Sequence, residues 1–110
     1  MQEYEIRITT HAEESLREIG AYIWEELMVP ETAVNLLQTI RQEIKKLSYM
    51  PSRIHLTPEE PWRGYGVRRM RVKNFYVYFW IDEENLRVQV TDVIYVARDQ
   101  KKQLETMPIE

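Results

Sequence analysis

An α+β two-layer sandwich, with an N-terminal strand and an α-helical hairpin packed on one face of a small antiparallel β-sheet, is the fold class predicted for this 110-residue chain. Three observations predict it. Tyr4, Ile6 and Ile8 alternate with polar residues, as in a short half-buried strand. Two stretches between His11 and Leu47 place apolar residues at helical spacing. From Val67 to Val96, three strand-like runs follow one another with short polar breaks. The length suits one domain, residues 1–110, with one modest core.

The elements follow in order. After the first strand, Thr10 with Glu13 three residues on has the pattern of a capping box. Ala12, Leu16, Ile19, Ile23 and Leu27 then carry helix one from about His11 to Leu27. Pro30 fits the first turn of helix two, where its missing N–H has no helical partner to lose. Ala33, Leu37, Ile40, Ile44 and Leu47 repeat as the seam of an antiparallel helical hairpin, which stops before Pro51. Residues 51–65 hold three prolines and read as an irregular connection long enough to suggest a function. Residues 100–106 add a short helical turn, and the last few residues are expected to fray.

The turns assign the sheet faces. A two-residue Lys73-Asn74 loop pairs Val72 with Phe75, Arg71 with Tyr76, Met70 with Val77 and Arg69 with Tyr78. A four-residue turn from Asp82 pairs Phe79 with Val88, Tyr78 with Gln89, Val77 with Val90 and Tyr76 with Thr91. One face is then Met70, Val72, Phe75, Val77, Phe79, Val88, Val90 and Ile94, and the helices cover it. The other carries Arg69, Arg71, Tyr76, Tyr78, Trp80, Arg87, Gln89, Thr91 and Tyr95, and is expected to stay open. A one-residue slip in either hairpin would exchange these faces.

The chain has no cysteine, which removes disulfides and thiolate metal sites and suits a reducing compartment. The N-terminus lacks the basic and apolar regions of a secretory signal. Its longest strongly apolar run, Phe75–Ile81, is too short to span a bilayer. A cytoplasmic protein without membrane contact is therefore expected. Net charge is −3, but residues 1–40 carry −6, residues 41–81 carry +6 and residues 82–110 carry −3. A basic middle third permits contact with a polyanion or an acidic protein, yet falls short of a general nucleic-acid binder. Two distant histidines, His11 and His55, offer no metal site, and no cofactor is expected.

The stretch GVRRMRVKNFYVYFWIDEENLRVQVTDVIYVARD, Gly66 to Asp99, resembles the RelE/ParE family of bacterial toxins. It carries that family's succession of arginine-rich strand, small turn, aromatic strand, acidic turn and valine-rich strand closing on Arg-Asp. The likeness extends over nearly the whole chain. It implies the toxin of a type II toxin–antitoxin module, neutralised by a cognate antitoxin protein. Some members cut mRNA in the ribosomal A site without a metal, and others inhibit DNA gyrase and cleave nothing.

Ribosome-dependent mRNA cleavage is the leading expectation, because paired arginines beside aromatics are a positive feature. By the resemblance, the catalytic set is Arg69 and Arg71 on the phosphate, Arg98 assisting, and Tyr95 or a loop glutamate, Glu59 or Glu60, handling protons. Tyr76, Tyr78, Trp80 and Arg87 would hold substrate, the aromatics stacking on bases. The same aromatics equally suit an antitoxin interface. The chain also departs from the RNA-cleaving pattern. Tyr76 replaces an arginine of the third strand, Tyr95 a histidine or lysine, and Gln103 and Leu104 occupy the place of a C-terminal tyrosine or histidine. A phenol with its usual pKa near 10 is a poor acid–base group at neutral pH. These departures, with the long helical hairpin, support the alternative of a ParE-like gyrase inhibitor, or of an inactive binding module.

Overall fold

The computed structural model describes residues 2–110. Strand β1 (Glu5–Ile8) leads into helix α1 (Thr10–Ala21), which is prolonged by a π-helical turn over Tyr22–Glu26. Helix α2 (Pro30–Lys45) returns along α1, and after the irregular connection come β2 (Arg68–Val72), β3 (Phe75–Asp82), β4 (Arg87–Tyr95) and the short helix α3 (Gln100–Leu104). Thr9, not Thr10, caps α1: its backbone is extended and its Oγ1 accepts from Ala12 N at 3.1 Å. Glu13 does not close a capping box. Its carboxylate takes both Arg41 η-nitrogens at 3.0 and 2.9 Å, tying α1 to α2 and holding Glu13 below the usual carboxylate range.

The first helix ends, and the hairpin turns, without glycine. Leu27 N bonds back to Tyr22 O and Val29 N to Ile23 O, both at 3.3 Å, and Met28 adopts a left-handed φ of 56°. Ala12, Leu16, Ile40, Ile44 and Leu47 then pack on Val77, Phe79, Val88, Val90 and Val93 to form the main core.

The sheet order is β1-β4-β3-β2. The meander is antiparallel as expected, and β1 lies parallel to β4, since the helical hairpin serves as the long crossover a parallel pair requires. The first hairpin has the predicted register in full. In the second, Asp82 pairs with Arg87 and Phe79 with Val90, two residues off the expected pairing. Asp82 is strand rather than turn: its carboxylate accepts from Asn85 N at 3.2 Å and Nδ2 at 2.9 Å, and Leu86 closes the turn at φ 48°. A shift of two keeps every side chain on its face. The β-bulge between Tyr78 and Phe79 does not, for it moves the remaining pairs by one. Val93 therefore joins the helix side, Ile94 crosses to the second face, and Tyr95 packs beside Phe75 with ring centroids 5.6 Å apart.

The second face is not open. Residues 100–109 cross it, burying Leu104 and Met107 with Trp62, Val67, Tyr78 and Ile94 in a second core. The expected fraying is thus replaced by a packed strap, whose last contact is Trp80 Nε1 donating to Ile109 O at 2.8 Å.

Candidate functional site

The expected site residues fall into three places. Arg69 and Tyr76 lie together on the second face, where the alternation of β2 and β3 puts them. The Arg69 guanidinium sits 4.0 Å over the Tyr76 ring, and its Nη1 lies 3.3 Å from Glu59 Oε2. Both partners of that ion pair are largely sheltered, with side chains 18% exposed. Glu59 Oε1 in turn accepts from the Thr57 hydroxyl. Glu59, offered by the sequence as a proton acceptor, is thus the fixed counter-ion of Arg69. Arg71, two residues along, is exposed, donates Nε to Lys73 O at 3.0 Å and has no ion pair among the described residues.

Tyr78 is correctly placed by face but is wholly buried under the strap, so it has no surface for a base. Its hydroxyl donates to Gln100 Oε1 at 2.8 Å, while Gln100 Nε2 donates to Tyr95 O and Arg98 O, each at 2.8 Å. Burial pushes the Tyr78 phenol up to about 12, against the opposing pull of Arg69. Such a phenol keeps its proton at neutral pH. Trp80 is half-buried by the strap. Arg87 lies at the far end of β4, paired with Asp82 across the hairpin and with its Nε 3.6 Å from Glu5 Oε1. That Nε is buried without a hydrogen-bond partner among the described residues.

Tyr95 and Arg98 form the third place. The bulge puts Tyr95 on the helix side, opposite to Arg69 and Tyr76, so the expected catalytic set does not share one face. Both line a groove of about 870 Å³ between the helical hairpin and the Lys73-Asn74 turn. Its walls are apolar at Ile19, Ile23, Leu36 and Phe75, with Lys73 and Arg98 at the same groove. Deep in it, Asp92 accepts from Ser15 Oγ at 2.5 Å and Val93 N at 2.8 Å, with His11 Nε2 3.0 Å away. Sequence reasoning did not single out Asp92 or Gln100. An isolated carboxylate and an isolated amide carry no spacing signal, and their roles depend on the bulge and the strap.

Chemically, the second face holds a neutralised arginine and a protonated phenol, and the groove offers an apolar cleft that carries Lys73 and Arg98 together with Glu18 and the buried Asp92. Among the described residues no helix is long and apolar enough to cross a membrane. The fold is similar to a chain in the chromosomal ParDE toxin–antitoxin system of P. aeruginosa, with a TM-score of 0.70 at 23% identity, covering 84% of this chain and 96% of that one. It is also similar to a chain of the RelBE2 toxin–antitoxin complex of Mycobacterium tuberculosis, with a TM-score of 0.59 at 20% identity, covering 84% and 98%. A mutant E. coli toxin RelE in the free state aligns with a TM-score of 0.63 at 11% identity over 93% of each chain. Comparison with curated proteins found no match. The family model described as the ParE toxin of the type II toxin–antitoxin system parDE matches residues 6–100. With nearly the whole fold inside that match, the chain belongs to the ParE toxin family of type II toxin–antitoxin systems.

Proposed function

We propose that this toxin arrests growth by binding a protein target, DNA gyrase in the manner of ParE-like inhibitors, and not by cutting mRNA. The observation that carries the reading is the Arg69–Glu59 pair. A phosphate approaching Arg69 must displace a carboxylate already within ion-pair distance in a sheltered site, and would meet that carboxylate's repulsion. The other groups that cleavage needs are dispersed. Tyr78 retains its proton, and Tyr95 and Arg98 open into the groove on the opposite side. Arg71 remains as an exposed cation, too little by itself to hold a phosphate, deprotonate a 2′-hydroxyl and protonate the leaving oxygen.

A cognate antitoxin is the second partner. The groove suits one: an amphipathic segment would bury apolar residues against Ile19, Ile23, Leu36 and Phe75 and set acidic residues near Lys73 and Arg98.

Induction of the chain in a bacterial host, with DNA and protein synthesis followed separately and mRNA 5′ ends mapped, tests the reading. DNA synthesis should fall first, without new cuts, and purified protein should inhibit gyrase supercoiling. Arg71→Ala should remain toxic. New mRNA ends at codon positions, abolished by Arg71→Ala in a folded protein, would return Arg69, Arg71 and Tyr95 to the catalytic role first expected of them.

A further inference from the structure

The far end of the helical hairpin is not absorbed by either the sheet face or the groove. Trp24, Met28, Val29 and Val34 are exposed there, Met28 to 79% and Trp24 to 55%. Trp24, Pro30 and Val34, with Glu31 and Asn35, line a separate cleft of about 330 Å³. No residue lines both this cleft and the groove. The local backbone is unusual: a π-helical turn runs straight into a left-handed methionine, and π-turns are concentrated at functional positions. Exposed apolar side chains gathered around one cleft suit an interaction surface.

Charge decides what kind of partner fits. From Ile19 to Ile40 the chain has three glutamates, Glu25, Glu26 and Glu31, and neither lysine, arginine nor histidine. None of the three has an ion-pair partner among the described residues. An apolar patch ringed by uncompensated carboxylates repels RNA, DNA and anionic lipid, and it repels a second hairpin brought up by two-fold symmetry. It complements a surface with apolar side chains at its centre and lysines or arginines around them.

We infer that the hairpin tip is the surface with which this toxin grips its protein target, seating an apolar side chain of a basic-rimmed site in the Trp24–Pro30–Val34 cleft. The inference rests on the proposal that the chain acts by binding a protein. Trp24 supplies the kind of large, rigid contact that dominates interface energetics, and Glu25, Glu26 and Glu31 orient the approach. The antitoxin groove begins beside it, at Tyr22 and Leu27 on the same turn. An antitoxin seated in that groove would thus stand next to the target's site and block it sterically.

The test uses the full chain and purified DNA gyrase as the probe. Two double variants are compared with wild type: Trp24→Ser with Val34→Ser, and Glu26→Lys with Glu31→Lys. All four positions are exposed, so thermal melting should be nearly unchanged. Each variant should bind gyrase at least about tenfold more weakly, and wild-type binding should weaken with added salt. Gyrase binding by both variants at wild-type strength would overturn the assignment. So would sedimentation showing a wild-type dimer that Trp24→Ser with Val34→Ser dissociates, since a second copy would then be the occupant. Failure of wild type itself to bind gyrase would overturn the proposed target rather than the comparison between variants, so the two failures are told apart.

Discussion

Besides its apolar contacts, the strap over the second face is joined to the sheet by one buried side-chain hydrogen bond, and a double-mutant cycle on Tyr78 and Gln100 should measure it. The Tyr78 hydroxyl gives its hydrogen bond to Gln100 Oε1 at 2.8 Å, with Tyr78 fully buried and Gln100 nearly so. Tyr78→Phe removes the donor and leaves the amide oxygen unsatisfied, a cost of about 1–2 kcal/mol. Gln100→Ala also strands the hydroxyl and frees the carbonyls of Tyr95 and Arg98, for a cost of about 2–3 kcal/mol, moderated because both residues are exposed enough for water to reach them. In the double variant the hydroxyl is gone, so its stranding is not counted twice. The combined loss should fall short of the sum by about 1 kcal/mol. Urea denaturation followed by circular dichroism is the assay, with melting temperatures falling about 4 °C per kcal/mol for a domain of this size. Additivity within about 0.3 kcal/mol would refute the claim that this pair joins α3 to the sheet.

Three further outcomes are expected. The raised Tyr78 pKa, about 12 against the usual 10, stabilises the fold below pH 10, and that contribution is lost as pH rises through 12. The stability difference between wild type and Tyr78→Phe, about 1–2 kcal/mol in favour of wild type at neutral pH, should therefore move by up to about 2–3 kcal/mol across this window, vanishing and then reversing sign; parallel pH curves for the two proteins would contradict it. Glu59→Gln should release Arg69 and increase retention on immobilised heparin, with a salt dependence steeper by about one phosphate-like contact. Unchanged retention would show that Glu59 does not neutralise Arg69. Asp92→Ala, which removes the acceptor of Ser15 and Val93 N from a site 4% exposed, should cost about 2–4 kcal/mol in chemical denaturation, and a loss under about 0.5 kcal/mol would exclude that role.

What the sequence conveyed and what it withheld have physical reasons. The helical hairpin was legible because Ala12, Leu16 and Ile19 on the first helix, and Ile40, Ile44 and Leu47 on the second, each repeat at a period that only one face of a helix satisfies. The first β-hairpin was legible because a two-residue turn fixes its register outright. The second was legible only as far as the bulge. Nothing in the run Val90-Thr91-Asp92-Val93 marks Thr91 as an extra residue between Val90, opposite Phe79, and Asp92, opposite Tyr78, since its β-branched residues suit a regular ladder equally well. That ambiguity misplaced Ile94 and Tyr95 and with them part of the expected catalytic set. The strap was missed for another reason: Leu104, Met107 and Ile109 are too sparse to declare a face, and become core only against a surface assembled elsewhere. The arginines were legible as residues, but not the pairing of one of them with a glutamate ten positions upstream.

The edge position of β1 bears on how the chain comes to be folded. Glu5 is registered with Arg87 and Ile8 with Val90, so joining these strands closes a loop of about 80 residues, at an entropic cost of about 4 kcal/mol. The meander, by contrast, zips through turns of two and four residues. Assembly should thus begin in the C-terminal half and finish with the N-terminal strand, giving low φ-values for Ile6→Val and Ile8→Val and higher ones for Val77→Ala and Val90→Ala. During synthesis the same topology has a timing effect. The N-terminal strand and both long helices leave the ribosome before the strand that must receive them exists. The toxin therefore cannot take its final form until β4 has been translated, which gives an antitoxin already in the cell time to meet it as it folds.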